Sequence, residues 1–160
     1  MENKGTNAST RLVVIVYGAA GSYKTTAIKN VVALAEKNCK NKPVDLLPTL
    51  AGQLLNGPQS KGAKDIFETF EKNGKKVAVL SAGDVRSEVV ACINEIQKQM
   101  SNFDVLVCAA RKNAMPSVKQ YLDTLFPANI TIDIHKQVLV GAAAIEAELK
   151  KRLAPANIIP

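Results

Sequence analysis

The chain has 160 residues, 47% of them hydrophobic, which is enough to bury a core without disulfide or metal staples. Its net charge of +7 suits polyanionic partners such as nucleotide phosphates or nucleic acid, or serves solubility alone, since the lysines are spread along the chain. No apolar run approaches a membrane span and the polar opening MENKGTNASTR lacks the apolar block of a signal peptide, so a cytoplasmic protein with a flexible arm over residues 1–11 is expected.

The first element is an apolar strand over Leu12 to Tyr17, followed by GAAGSYKTT at Gly18 to Thr26. Ile28, Val31, Val32 and Ala35 then fall at helical spacing, so a helix runs to about Lys37 to Lys40. Asn41 to Lys64 has a different texture, with Pro43, Pro48, Gly52, Gly57, Pro58 and Gly62. A long irregular stretch inside a domain is usually a functional loop or lid, here with a short helix around Leu50 to Leu55.

Asp65 to Glu71, Asn73-Gly74 and Lys75 to Leu80 read as a hairpin closed by an Asn-Gly turn. The same residues also fit a short helix capped by Gly74 before a strand. The hairpin is preferred because Gly57, Pro58 and Gly62 interrupt helix support upstream. Val77 to Leu80 is a strand on either reading, its four apolar residues suiting burial on both faces.

From Val85 to Met100, residues Val89, Ile93, Ile96 and Met100 form a helical stripe. Val105 to Ala109 is a short apolar strand. Pro116 suits the first turn of a helix whose stripe is Val118, Tyr121, Leu122 and Leu125. Asn129 to Ile134 alternates as a strand, and Ala142 to Leu153 is a helix stopped by Pro155, leaving 155–160 as a short tail. Cys92 and Cys108 lie in apolar runs and read as buried residues. With Cys39 they show no metal-ligand spacing, and a single histidine argues against zinc.

Alternation of strands and helices over 12–154 predicts one α/β domain, a mostly parallel sheet with helices on both faces and a possible antiparallel hairpin at 65–81. Such sheets bind ligands outside the carboxyl ends of their strands. Here those ends carry Gly18, Gly21, Lys24 and Thr25, then Ser81, Gly83, Asp84 and Arg86, then Arg111, Lys112 and Asn113, then His135 and Lys136. A phosphate-type loop, an acid and several cations are thereby expected at one edge.

Each residue also has a plainer reading. Lys24 and Thr25 could merely begin a helix, and Asp84 could N-cap one. Ser81 more simply bonds its own backbone than a ligand. Arg111 and Lys112 could clamp a phosphoryl group or be exposed loop cations. His135 reads as a surface or capping residue rather than a general base.

The strand, the glycine-rich turn and the Lys24-Thr25 helix start together resemble the Walker A loop of P-loop NTPases. The element order resembles their small nucleoside- and nucleotide-kinase-like members. In the Walker A pattern a glycine precedes the lysine, whereas this chain has Tyr23. A tyrosine there carries a steric cost if the backbone needs positive φ. The resemblance implies a P-loop αβα sandwich that binds ATP or GTP with Mg²⁺, and phosphoryl transfer or hydrolysis as the activity. Gly18, Gly21, Ser22, Tyr23, Lys24, Thr25 and Thr26 would line the phosphates, Thr25 and Asp84 would serve the metal, and Arg111 would offset transferred charge.

Three functions follow as expectations. One is nucleotide binding with kinase-like transfer to a small-molecule acceptor. Another is a P-loop-fold module that binds a polyanion or protein partner without catalysis. The third is nucleic-acid binding, although no aromatic residues interleave with the basic ones as a single-strand-binding surface would need.

Overall fold

The computed structural model describes residues 11–19, 23–37, 39, 41–46, 66–81, 86–100, 102–111 and 115–159, with backbone alone at 86–88 and 115–117. In chain order the strands are β1 (Leu12–Gly18), β2 (Val44–Asp45), β3 (Phe67–Lys72), β4 (Lys75–Leu80), β5 (Val105–Arg111) and β6 (Ile130–Asp133). The helices are α1 (Lys24–Glu36), α2 (Arg86–Gln99), α3 (Met115–Leu125) and α4 (Gly141–Leu153), followed by a 3₁₀ turn at Ala154–Ala156. The architecture is α/β, with a six-stranded mixed sheet in the order β2-β3-β4-β5-β1-β6. β4, β5, β1 and β6 run parallel, while β2 and β3 complete the sheet in antiparallel pairing.

The inner strands β1 and β5 are apolar along nearly their whole length, and their residues alternate between two buried clusters. On β1, Val13, Ile15 and Tyr17 point into one buried cluster with Val89, Ile93 and Ile96 of α2 and Val118 and Leu122 of α3. Val14 and Val16, half a pleat away, enter a second cluster with Ala27, Ile28, Val31 and Val32 of α1 and Ile145 and Leu149 of α4. Each fully buried aliphatic contributes roughly 1.5–3 kcal/mol of transfer free energy. Helices α1 and α4 pack side by side, and Asn30 Nδ2 donates to Glu146 Oε2 at 2.7 Å across them. Ala156 and Ile158, in the stretch expected to be a tail, are buried in that same cluster.

The hairpin forms as the Asn-Gly turn demands. β3 and β4 pair from Phe67↔Leu80 to Lys72↔Lys75, and the two residues between them take φ 52° (Asn73) and 78° (Gly74). Positive φ at both positions matches the twist of the flanking strands. One element was not anticipated. Within the stretch expected to be loop or lid, Val44 and Asp45 pair with Thr69 and Glu68 as a two-residue edge strand. Leu46 then buries itself beside Phe67 and donates its N–H to Phe67 O at 2.7 Å. The short helix expected around Leu50 to Leu55 lies outside the described residues.

Candidate functional site

Because β1, β4, β5 and β6 are parallel, their carboxyl ends share one edge. Register places specific residues side by side there. Gly18, the last residue of β1, pairs with Arg111, the last of β5. On the other flank Tyr17 pairs with Asp133, the last of β6. With strands about 4.8 Å apart, a cation from β5 and an acid from β6 bracket the point where the glycine-rich turn leaves the sheet.

The turn enters α1 through Tyr23, which takes φ 68°, ψ 17°. This is the left-handed conformation that a glycine adopts freely and a tyrosine does not. The ring is 57% exposed, so little packing compensates the strain. Tyr23 O accepts the N–H of Ala27 at 3.0 Å and so begins the helical ladder. Its side chain makes no capping bond, and the first turn of α1 holds no acidic residue. Within that first turn no carboxylate offsets the positive end of the helix dipole.

Lys24 folds back over this turn. Its Nζ donates to Gly18 O and to Ala19 O, both at 3.0 Å. The half-buried ammonium is thus held at the mouth of β1 by two neutral carbonyls. A phosphate oxygen is the stronger acceptor, since charge-assisted hydrogen bonds are roughly twice as strong as neutral ones. Thr25 and Thr26 follow in the first turn of α1, both half-buried. This donor set fits an anionic ligand.

A further contact crosses from β6. Ile134 N donates to Tyr17 O at 2.9 Å, extending the pairing past the end of the strand. His135 is thereby seated beside the turn, and its Nε2 accepts the N–H of Ala19 at 3.1 Å. Asp133 Oδ1 shapes that corner by accepting the N–H groups of His135 and Lys136, each at 3.1 Å. Sequence reading passed over Asp133 and gave His135 a surface or capping role. The contact joins residues 116 positions apart, a separation at which no local pattern operates.

Tyr17, the residue before Gly18, is fully buried in the cluster with α2 and α3. Its hydroxyl finds no hydrogen-bond partner among the described residues. Burial, and then the nearby Cys108 and Asp123, hold the phenol well above its ordinary pKa, so it stays neutral. Burial likewise pushes the Cys108 thiol up to about 12. Cys92 and Cys108 are both buried, as their apolar setting suggested, and none of the three cysteines is in a disulfide.

Ser81, just after β4, stands apart from this corner. Ser81 Oγ accepts the N–H of Ile66 at 2.7 Å and so ties the open end of the hairpin, with a backbone partner on the opposite strand's side rather than its own. β4, the strand that leads to Asp84, is separated from β1 by β5. Gly21, Ser22, Asp84, Lys112 and Asn113 lie outside the described residues. Among the described residues no group of three metal-ligating side chains occurs, and no helix is long and apolar enough to cross a membrane. No family model, no curated protein and no solved structure matches this chain.

Proposed function

We propose that this chain is a P-loop protein of three-layer αβα type, binding the phosphates of ATP or GTP with Mg²⁺ at the turn between β1 and α1. The observation that carries the reading is the Lys24 ammonium folded onto Gly18 O and Ala19 O at the carboxyl end of a central parallel strand. Phosphate oxygens are stronger acceptors than these carbonyls, and the ammonium stands at the start of a helix, where anions are favoured. The positive φ of Tyr23 supports the same reading, because the turn keeps the glycine-type backbone although the glycine is gone.

In this role Gly18, Gly21, Ser22, Tyr23, Lys24, Thr25 and Thr26 line the phosphates, and Thr25 offers its hydroxyl to the metal. The nucleotide supplies a transferable phosphoryl group. Arg111, in register with Gly18, is the cation to offset charge on such a group, and a small-molecule hydroxyl or phosphate is the acceptor class.

One observation favours a second reading, binding without transfer. β5 stands between β1 and β4, so the strand preceding Asp84 is not the neighbour of the phosphate turn. Under that reading the turn holds nucleotide or another polyanion as a recognition element.

Calorimetric titration of Mg-ATP and Mg-GTP into the wild type and Lys24→Ala tests the proposal. Micromolar binding by the wild type that is lost in the variant is the expected result. Equal binding by both proteins, or none by either, contradicts it. Phosphate release or transfer by the protein that binds then separates the two readings.

A further inference from the structure

A cleft opens at the edge of the sheet opposite the β1–α1 turn. Lys76 is the second residue of β4 and Asn102 precedes β5, so both stand at the amino ends of parallel strands. There the carboxyl end of α2 meets β3 and the edge strand β2 around a volume of about 390 Å³, a size typical of small-molecule sites.

Three lysines line the cleft, Lys42, Lys76 and Lys98, against one acid, Glu71. Glu71 and Lys76 are direct cross-strand partners, yet among the described residues none of the three lysines is ion-paired. Lys76 is firmly seated. Its N–H donates to Asp104 Oδ2 and its carbonyl accepts the N–H of Asp104, both at 2.8 Å. Its Nζ donates to Asn102 Oδ1 at 3.2 Å, a neutral acceptor that an anionic oxygen outcompetes. Thr69 also lines the cleft. It is only 7% exposed, and its hydroxyl makes no hydrogen bond among the described residues. Buried hydroxyls are normally bonded, so this one has a bond to offer to a molecule in the cleft.

The opposite charge on one wall narrows the ligand. Glu71 is a carboxylate, and Lys98, Gln99 and Met100 bring the negative end of the α2 dipole to the cleft. A bare anion meets these groups as well as the lysines. A molecule that also carries hydroxyl groups suits both walls. Its anionic oxygens accept from the ammonium groups, and its hydroxyls donate to Glu71 and the side-chain amide oxygens. Val44 and Met100 add apolar surface for a carbon skeleton. Phe70 has its side chain in the cluster on the other face of the sheet, so it offers no ring to stack a nucleobase.

We propose that this cleft binds a small, multiply charged, hydroxylated anion, a sugar phosphate or a hydroxycarboxylate. Lys42, Lys76 and Lys98 hold its charge, and Glu71 and Thr69 read its hydroxyls. The site is independent of nucleotide binding at the β1–α1 turn, which lies on the other edge of the sheet.

The test is an amide NMR titration of the labelled protein with glucose 6-phosphate, citrate, inorganic phosphate, glucose and a short oligo(dT). It is repeated on Lys42→Gln/Lys98→Gln, in which both replaced side chains are exposed and the core is untouched. Saturable shifts at Lys76, Gln99, Met100 and Asn102 are expected from glucose 6-phosphate or citrate, and the tighter of the two names the anionic group. Affinity should fall about tenfold in the double variant, as two exposed charge contacts are lost. No saturable shift at these amides from either hydroxylated anion overturns the proposal, as does equal affinity in the variant. Equally tight binding of inorganic phosphate would show an adventitious ion only and overturn it too. Tighter binding of oligo(dT) at the same amides would assign the cleft to nucleic acid instead. Shifts confined to Ala19, Lys24 and Thr25 would overturn this site while leaving anion binding at the turn standing.

Discussion

Left-handed backbone is filled in opposite ways in two regions of this molecule. The β3–β4 turn uses Asn73 and Gly74 at φ 52° and 78°, residue types for which that conformation is cheap. At the carboxyl edge of the parallel strands the same region is occupied by Tyr23 at φ 68° and Val138 at φ 52°. A β-branched or aromatic residue there costs roughly 1–2 kcal/mol. Both side chains are exposed, at 57% and 76%, so local packing does not account for their presence. The relaxed turn closes a hairpin, whereas Tyr23 adjoins Lys24 and Val138 lies three residues from His135. Strain of this kind persists where the surrounding structure over-determines it, and it clusters at sites that act.

The contrast can be broken from its relaxed side first. Gly74→Ala places a Cβ where no heavy atom lies within 4 Å, so its cost is purely that of positive φ in an L residue. A loss of about 1–2 kcal/mol in urea denaturation is expected. An unchanged midpoint would mean that the turn relaxes and that the comparison has no energetic content.

The strained side gives a change of opposite sign. Tyr23→Gly removes the steric cost and adds back unfolded-chain entropy, for a net gain of about 0.5–1 kcal/mol. Nucleotide affinity should be kept or improved, since the amides of the turn are untouched. A loss of binding without a loss of stability would instead assign the ring itself to the ligand.

The smallest effect lies away from the site, near the end of α3. Asp123 accepts from Asn129 Nδ2 at 2.7 Å and from Lys119 Nζ at 3.0 Å. The Asn129 bond first, and Lys119 with it, hold its carboxyl below the ordinary range against an opposing desolvation effect. A carboxyl lowered on folding adds stability above its unfolded pKa, and that stability is lost as pH falls through the folded value. The pair is largely solvated, so Asp123→Asn should cost under about 0.5 kcal/mol at neutral pH. That difference should vanish in acid, and a difference that persists there would show that hydrogen-bond geometry rather than charge carries it.

Much of the fold was legible because its signals are local. Apolar runs such as Val105 to Ala109 mark strands covered on both faces, the stripe Val89, Ile93, Ile96 marks α2, and Asn73-Gly74 marks the hairpin. β2 was not legible, since two residues show no alternation and Val44 is exposed. Nor was the place of β5 between β1 and β4, which is settled by pairings across long stretches of chain. At the site, Lys24 and Arg111 could be expected from the strand ends that carry them. The positive φ at residue 23 could be stated only conditionally, and His135 needed the sheet order, because β6 must lie beside β1 before the ring can reach Ala19.

The most direct measurement is an amide NMR titration of the uniformly labelled protein with Mg-ATP, following both edges of the sheet at once. Saturable shifts at Ala19, Lys24, Thr25 and His135, with Lys72 to Lys75 unmoved, are the predicted result. Shifts centred on the hairpin edge, or none at the β1–α1 turn under saturating nucleotide, would contradict the account.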